Sequence, residues 1–163
     1  MGNFRDWRRS PAYLEGLCDP YYRVEDEGSQ AVTRSGRGIR APGRAAIDFR
    51  ARYGHSLRVL KHNVSNHIDW QSRYVSSLIS TYRDEEAAWA EAERRVARGR
   101  QNVTITVIDA RKVYGKVEYR NLRHLAHELN IPIPRKAWHN SKHEYVFLRH
   151  VPERAVQHVI SVN

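Results

Sequence analysis

Three polar residues fall where apolar strands are expected, and each is of a type that does chemistry. Arg23 lies inside Tyr21-Tyr22-Arg23-Val24, Ser80 closes Leu78-Ile79-Ser80-Thr81, and Glu144 opens Glu144-Tyr145-Val146-Phe147-Leu148. A carboxylate or a guanidinium removed from water is costly unless it is paired or employed. If the three strands are neighbours in one sheet, the three side chains line a single cleft. A structural ion pair, of Arg23 and Glu144 with each other or with outside charges, is the plain alternative. His143 or His150 together with Glu144 also has the residue types for the acid–base work of a metal-independent ribonuclease. Histidines stand three apart at His124 and His127 and four apart at His139 and His143, but the chain has one cysteine and no His-Glu-x-x-His arrangement. No metal site is therefore expected.

The elements that must hold these residues read as an α+β pattern. Residues 1–18 are expected to form a tail or docking helix, and 19–163 a single domain. Tyr21–Val24 favours a strand after the Pro20 breaker. Residues 25–44 turn to Gly, Ser, Pro and Arg, and are expected to be a loop bearing Arg34, Arg37, Arg40 and Arg44. A helix is expected within 45–65, with Leu57, Leu60 and Val64 on one face and Gly54 interrupting it. Tyr74–Thr81 reads as a strand. Asp84, the acidic first turn Glu85-Glu86, the basic last turn and Gly99 mark the clearest helix. A strand over 103–109, a helix over 117–129 and a proline-bearing loop over 131–142 follow. Strands over 144–150 and 155–162 close the chain, joined by a turn through Pro152.

The composition narrows the partners. The 163 residues carry 28 Lys and Arg against 18 Asp and Glu, a net charge of +10. That balance favours a polyanionic partner, nucleic acid or a phosphate-bearing small molecule, or simply a solvated basic surface. No apolar run is long enough to span a membrane, and the charged start lacks a secretory pattern. Cys18 alone makes no intramolecular disulfide, which suits a reducing compartment or simply a fold that needs no staples. A cytoplasmic or nuclear location is expected, with delivery into a host cell as an option; oligomeric state is not legible.

In Tyr22-Arg23-Val24, Ile79-Ser80-Thr81 ahead of a helix at Asp84, and Glu144-Tyr145-Val146-Phe147-Leu148 ahead of Val151-Pro152, the chain resembles ADP-ribosyltransferases of the arginine–serine–glutamate class. It is similar also to a group of uncharacterised fungal domains. The ordered motifs cover roughly residues 20–162. The resemblance implies a split mixed or antiparallel sheet with flanking helices, and NAD as substrate. It implies that Arg23 clamps a phosphate of NAD, with Val24 beside it, and that Ser80 and Thr81 hold the nicotinamide ribose side. Glu144 then bonds the ribose 2′-hydroxyl and stabilises a cationic sugar. Arg34 and Arg37 are expected to close over the adenylate, and Trp138 and Lys142 to read the acceptor. Tyr82 replaces the second serine of the class, and Lys142 stands where glutamine or glutamate is common. The second departure points away from a protein arginine, towards another acceptor, plain NAD hydrolysis or loss of activity. The function expected is ADP-ribosyl transfer to a nucleic acid or protein, or NAD cleavage by water. The alternatives are a non-catalytic domain of the same fold that binds nucleic acid or protein, and a ribonuclease-like toxin or effector.

Overall fold

A computed structural model of the protein describes residues 19–69 and 71–163; the tail or docking helix expected over 1–18 lies outside them. The central feature is the order of strands around the candidate residues. Six strands form one sheet: β1 (Pro20–Glu25), β4 (Leu78–Tyr82), β5 (Thr104–Asp109), β6 (Tyr119–Asn121), β7 (Glu144–Leu148) and β9 (Val156–Ser161), arranged β6-β7-β4-β1-β5-β9. Every pairing within it is antiparallel. Glu144, Ser80 and Arg23 therefore sit on three consecutive strands. Tyr82 faces Glu144 and Ser80 faces Val146 across β4 and β7. Since side chains alternate along a strand, Ser80, Tyr82 and Glu144 share one face.

The sheet divides between β1 and β4, which register at one pair only, Tyr22 with Tyr82. Past that pair a side chain replaces the ladder: Arg23 Nη1 donates to the Ser80 carbonyl at 2.8 Å. A smaller sheet, β2-β3-β8 (Val32–Arg34, Gly38–Arg40 and His150–Val151), lies outside the main one. The segment 25–44, expected as a loop, thus contains a hairpin. Its second strand needs glycine where it opens: Gly38 has φ +71°, and a Cβ there would lie 2.1 Å from the Val151 carbonyl oxygen. Gly38→Ala is expected to destabilise the fold by at least about 2 kcal/mol in urea unfolding, from strain and forced separation of β3 and β8.

Among the described residues four α-helices pack on these sheets: α1 (Gly54–Ile68), α2 (Glu85–Ala97), α3 (Leu122–Glu128) and α4 (Arg135–Ser141). The first runs later than expected, because Gly54, at φ +66°, starts the helix instead of interrupting it. Leu60 and Val64 bury against Phe49, Leu78 and Leu125. On the other side α2 buries Ala88, Trp89 and Ala92 against Tyr22, Val24 and Ile105. A third cluster, including Ile39, Ile79, Phe147 and Val151, fills the space between the sheets.

Four further expectations change. The strand expected from Tyr74 starts at Leu78, since Ser76 and Ser77 turn their hydroxyls onto nearby backbone. The helix expected from residue 117 starts at Leu122, capped by the Asn121 side chain on the His124 amide at 2.9 Å. Residues 119–121 pair instead with β7. The proline-bearing loop holds α4, which begins directly after Pro134, where a preset φ suits a helix start. Finally, the strand expected over 144–150 breaks at Arg149, whose φ of 65° sends His150 and Val151 into the second sheet. Among the described residues no helix is long and apolar enough to cross a membrane.

Candidate functional site

Arg23, Ser80 and Glu144 line one cleft of about 270 Å³, together with Val24, His67 and Tyr82. Ser80 Oγ donates to Glu144 Oε1 at 2.9 Å, so the two are bonded directly and not merely near. Burial pushes the Glu144 carboxyl up to about 7, the Ser80 hydrogen bond opposing that rise. The group thus changes charge near neutral pH. Removing the hydroxyl removes the opposing interaction. Ser80→Ala is expected to raise the Glu144 pKa further, by about one unit, which a carboxyl-carbon NMR titration reads directly.

Arg23 is buried, with 7 % of its surface exposed. It is anchored by three contacts: Nε donates to Glu25 Oε1 at 3.1 Å, Nη1 to the Ser80 carbonyl at 2.8 Å, and Nη2 to the Ala31 carbonyl at 2.6 Å. Of the structural ion pairs weighed for Arg23, the one with an outside charge is made, to Glu25, and not the one with Glu144. That carboxylate also accepts from the Thr33 amide at 3.0 Å and from the Thr33 hydroxyl at 2.6 Å. A guanidinium has five N–H groups, so these three bonds leave two uncommitted on a side chain that lines the cleft.

His67 completes the cleft and carries no motif in the sequence. Its Nε2 lies 2.6 Å from Ser80 Oγ and its Nδ1 lies 2.8 Å from Ser76 Oγ. Burial, and then the charge of Arg23, pull its pKa down to about 4, so it is neutral at pH 7. When Glu144 is ionised, the Ser80 hydrogen goes to the carboxylate. The Ser80 oxygen then accepts from Nε2–H, and Nδ1 is left to accept from Ser76. One polarised chain results, Ser76 to His67 to Ser80 to Glu144. One signal was available: 60, 64 and 67 follow the apolar stripe of α1, and a histidine on such a stripe is a polar group sent inwards.

The other expected residues divide. Val24 lines the cleft. Thr81 is fully buried and donates its hydroxyl to the Tyr145 carbonyl at 3.0 Å, which fixes β4 on β7. Arg34 and Arg37 are exposed on the β2–β3 hairpin and do not line the cleft. Arg95, on α2, does line it, held by Glu91 at 2.9 Å and Asp26 at 3.1 Å. Trp138 and Lys142 line a second cleft of about 490 Å³ with Asn121 and Arg123, and the Arg123 guanidinium stands 3.9 Å over the Trp138 ring. His150 Nε2 bonds the Arg37 carbonyl at 3.1 Å, and His143 Nε2 is 3.9 Å from Asp84; neither histidine lines the cleft of Glu144. Among the described residues no group of three or more His, Cys, Asp or Glu side chains is placed to hold a metal ion.

Comparison with known proteins adds a family and a fold. A family model described as a domain of unknown function (DUF7587) matches residues 17–163. The structure is similar to the solved chain named EcPltA, with a TM-score of 0.55, 12 % sequence identity, and coverage of 88 % of this chain and 75 % of that one. At that identity the likeness concerns the α+β fold alone. No curated protein sequence matches the chain.

Proposed function

We propose a chemistry for this chain, which belongs to the family described as a domain of unknown function (DUF7587): cleavage of the nicotinamide–ribose bond of NAD, with ADP-ribose passed to water or to an acceptor. The observation that carries the reading is the 2.9 Å bond from Ser80 to Glu144 in a cleft that Arg23 also lines. In the proposed step the C1′–N bond breaks and its electron pair goes to the ring nitrogen, so nicotinamide leaves neutral. The ribose becomes an oxocarbenium ion, and a water or acceptor oxygen or nitrogen attacks C1′ and loses its proton to solvent. Glu144, ionised above about pH 7, sets a fixed negative charge beside the developing positive one and accepts from the 2′-hydroxyl. Ser80 and His67 hold that carboxylate in place. The remaining N–H groups of Arg23 take a phosphate oxygen, a task suited to a planar, permanently charged fork.

A specific observation favours a second reading. Arg23 has three structural hydrogen bonds, which is what a latch between β1, β2 and β4 also requires. On that reading the domain binds a nucleic acid or a protein and catalyses nothing. Incubation with NAD separates the two. The expected result is time-dependent release of nicotinamide, lost in Glu144→Gln. No release above background, with water alone or with nucleic acid and protein acceptors, contradicts the enzyme reading.

A further inference from the structure

The second cleft, of about 490 Å³, differs in chemistry from the cleft of Glu144. Ile131, Pro132, Ile133 and Trp138 give it an apolar lining, and Arg123 and Lys142 bring positive charge. Among the described residues no acidic side chain lines it. The acidic residue of α3, Glu128, is committed to Arg52 at 3.1 Å and to His124 at 3.0 Å. A volume within roughly 300–1,000 Å³ and a mostly apolar wall with a few placed polar groups are the attributes of a pocket that encloses a small ligand.

Arg123 decides which ligand. Its Nε donates to Ser141 Oγ at 2.8 Å and its Nη2 to the Trp138 carbonyl. Ser141, fully buried, passes its own hydrogen to that same carbonyl at 2.7 Å. The guanidinium also stands 3.9 Å over the Trp138 ring, so its position is set before any ligand arrives. Both of its hydrogen-bond acceptors are neutral, and two of its five N–H groups are used. Three remain for a charge-assisted, forked contact, the geometry that a carboxylate matches. Lys142, exposed at the same cleft, adds a second cation. A carboxylate alone would leave the isoleucines and the proline without an apolar partner, and so would a nucleic acid strand or a run of acidic residues. We propose that this cleft binds a small organic acid: an aromatic or branched aliphatic body, covered by Ile131, Ile133 and Trp138, with one carboxylate on the Arg123 guanidinium. The site needs nothing from the proposed cleavage of NAD.

The test uses no NAD, and its first arm needs no variant. The whole chain, labelled for NMR, is titrated with 2-naphthoate and separately with its uncharged amide, 2-naphthamide. Saturable shifts are expected, centred on α3, α4 and residues 131–133. The acid should bind at least about tenfold more tightly than the amide, the difference that one hydrogen-bonded charge supplies. Arg123→Met keeps an unbranched side chain beside Trp138 and should bring the acid down to the affinity of the amide. Trp138→Ala should weaken both ligands, by roughly tenfold, since each loses the same apolar wall. Equal affinity of acid and amide for the unaltered chain overturns the inference, whatever the variants do. So does a preference for the acid that survives in a folded Arg123→Met chain. Shifts centred on the cleft of Glu144, or displacement of naphthoate at equal concentration by a hexaglutamate peptide or a short oligonucleotide, also overturn it. Naphthoate binding in a chain that releases no nicotinamide would leave this site standing and sink the proposed cleavage; release without naphthoate binding would do the reverse.

Discussion

Glu144→Gln is expected to lower nicotinamide release by about 10² to 10³-fold while NAD still binds. The amide keeps an oxygen that accepts from a ribose hydroxyl, so ground-state binding changes little. What it lacks is the charge, and charge placed ahead of time beside a developing cation acts in the transition state; losing one such interaction costs about 3–4 kcal/mol. Stability should move the other way. The folded-state pKa of Glu144 is raised from 4.5 to about 7, so its favourable contribution is complete below the unfolded value and is lost as pH rises through about 7. A neutral side chain escapes that loss. At pH 8 the variant should be more stable than the unaltered chain, by on the order of 1–3 kcal/mol. Loss of activity with a gain in melting temperature cannot come from misfolding, and urea unfolding at pH 5 and pH 8 measures it. His67 titrates with the opposite sign. Its pKa is lowered to about 4, so its contribution is present above 6.5 and is lost as pH falls towards 4.

Arg23→Ala should be the most damaging single change to the fold. It leaves Glu25, 5 % exposed, as a buried carboxylate without its cation, and removes the donors of the Ser80 and Ala31 carbonyls. Breaking a buried pair from one side costs about 3–5 kcal/mol, a large part of the roughly 5–15 kcal/mol that holds a domain. Such a variant says little about ligand binding. Replacing Arg23 by Met and Glu25 by Gln together removes both charges and keeps an acceptor for the Thr33 amide and hydroxyl. Most of the lost stability should return, since a pair removed whole costs far less than half a pair. NAD binding, followed by calorimetry, should not return if Arg23 is the phosphate clamp. Unchanged binding in the stable double variant assigns Arg23 to the latch alone.

The candidate residues were legible because each broke a rule its neighbours kept: a charge or hydroxyl inside a run that otherwise reads as strand. Their common cleft was not legible, because it depends on β7, β4 and β1 being consecutive, a matter of long-range pairing. The arginines of residues 34–44 were drawn to the site by composition alone. Glycines with positive φ at 36 and 38, and pairing of β3 with the distant β8, turn that segment into a hairpin whose arginines do not line the cleft. The cations that border the cleft come instead from α2, where charges at 94, 95 and 98 read as ordinary helix-end residues. His67 was hidden for another reason. One histidine on a helical stripe has many structural explanations, and only the fold shows that the stripe ends against Ser80. Tyr119–Asn121 show a tertiary override, since an edge of β7 captured residues that sequence periodicity assigned to the next helix.

The most direct measurement is the structure of Glu144→Gln with NAD bound, where slow turnover leaves the dinucleotide intact. The expected density places the nicotinamide ribose against the side chains at 80 and 144, its 2′-hydroxyl within hydrogen-bond distance of the latter, and a phosphate oxygen on the guanidinium of Arg23. NAD bound elsewhere on the surface, or a cleft that stays empty at saturating NAD, would contradict the assignment of this cleft to NAD.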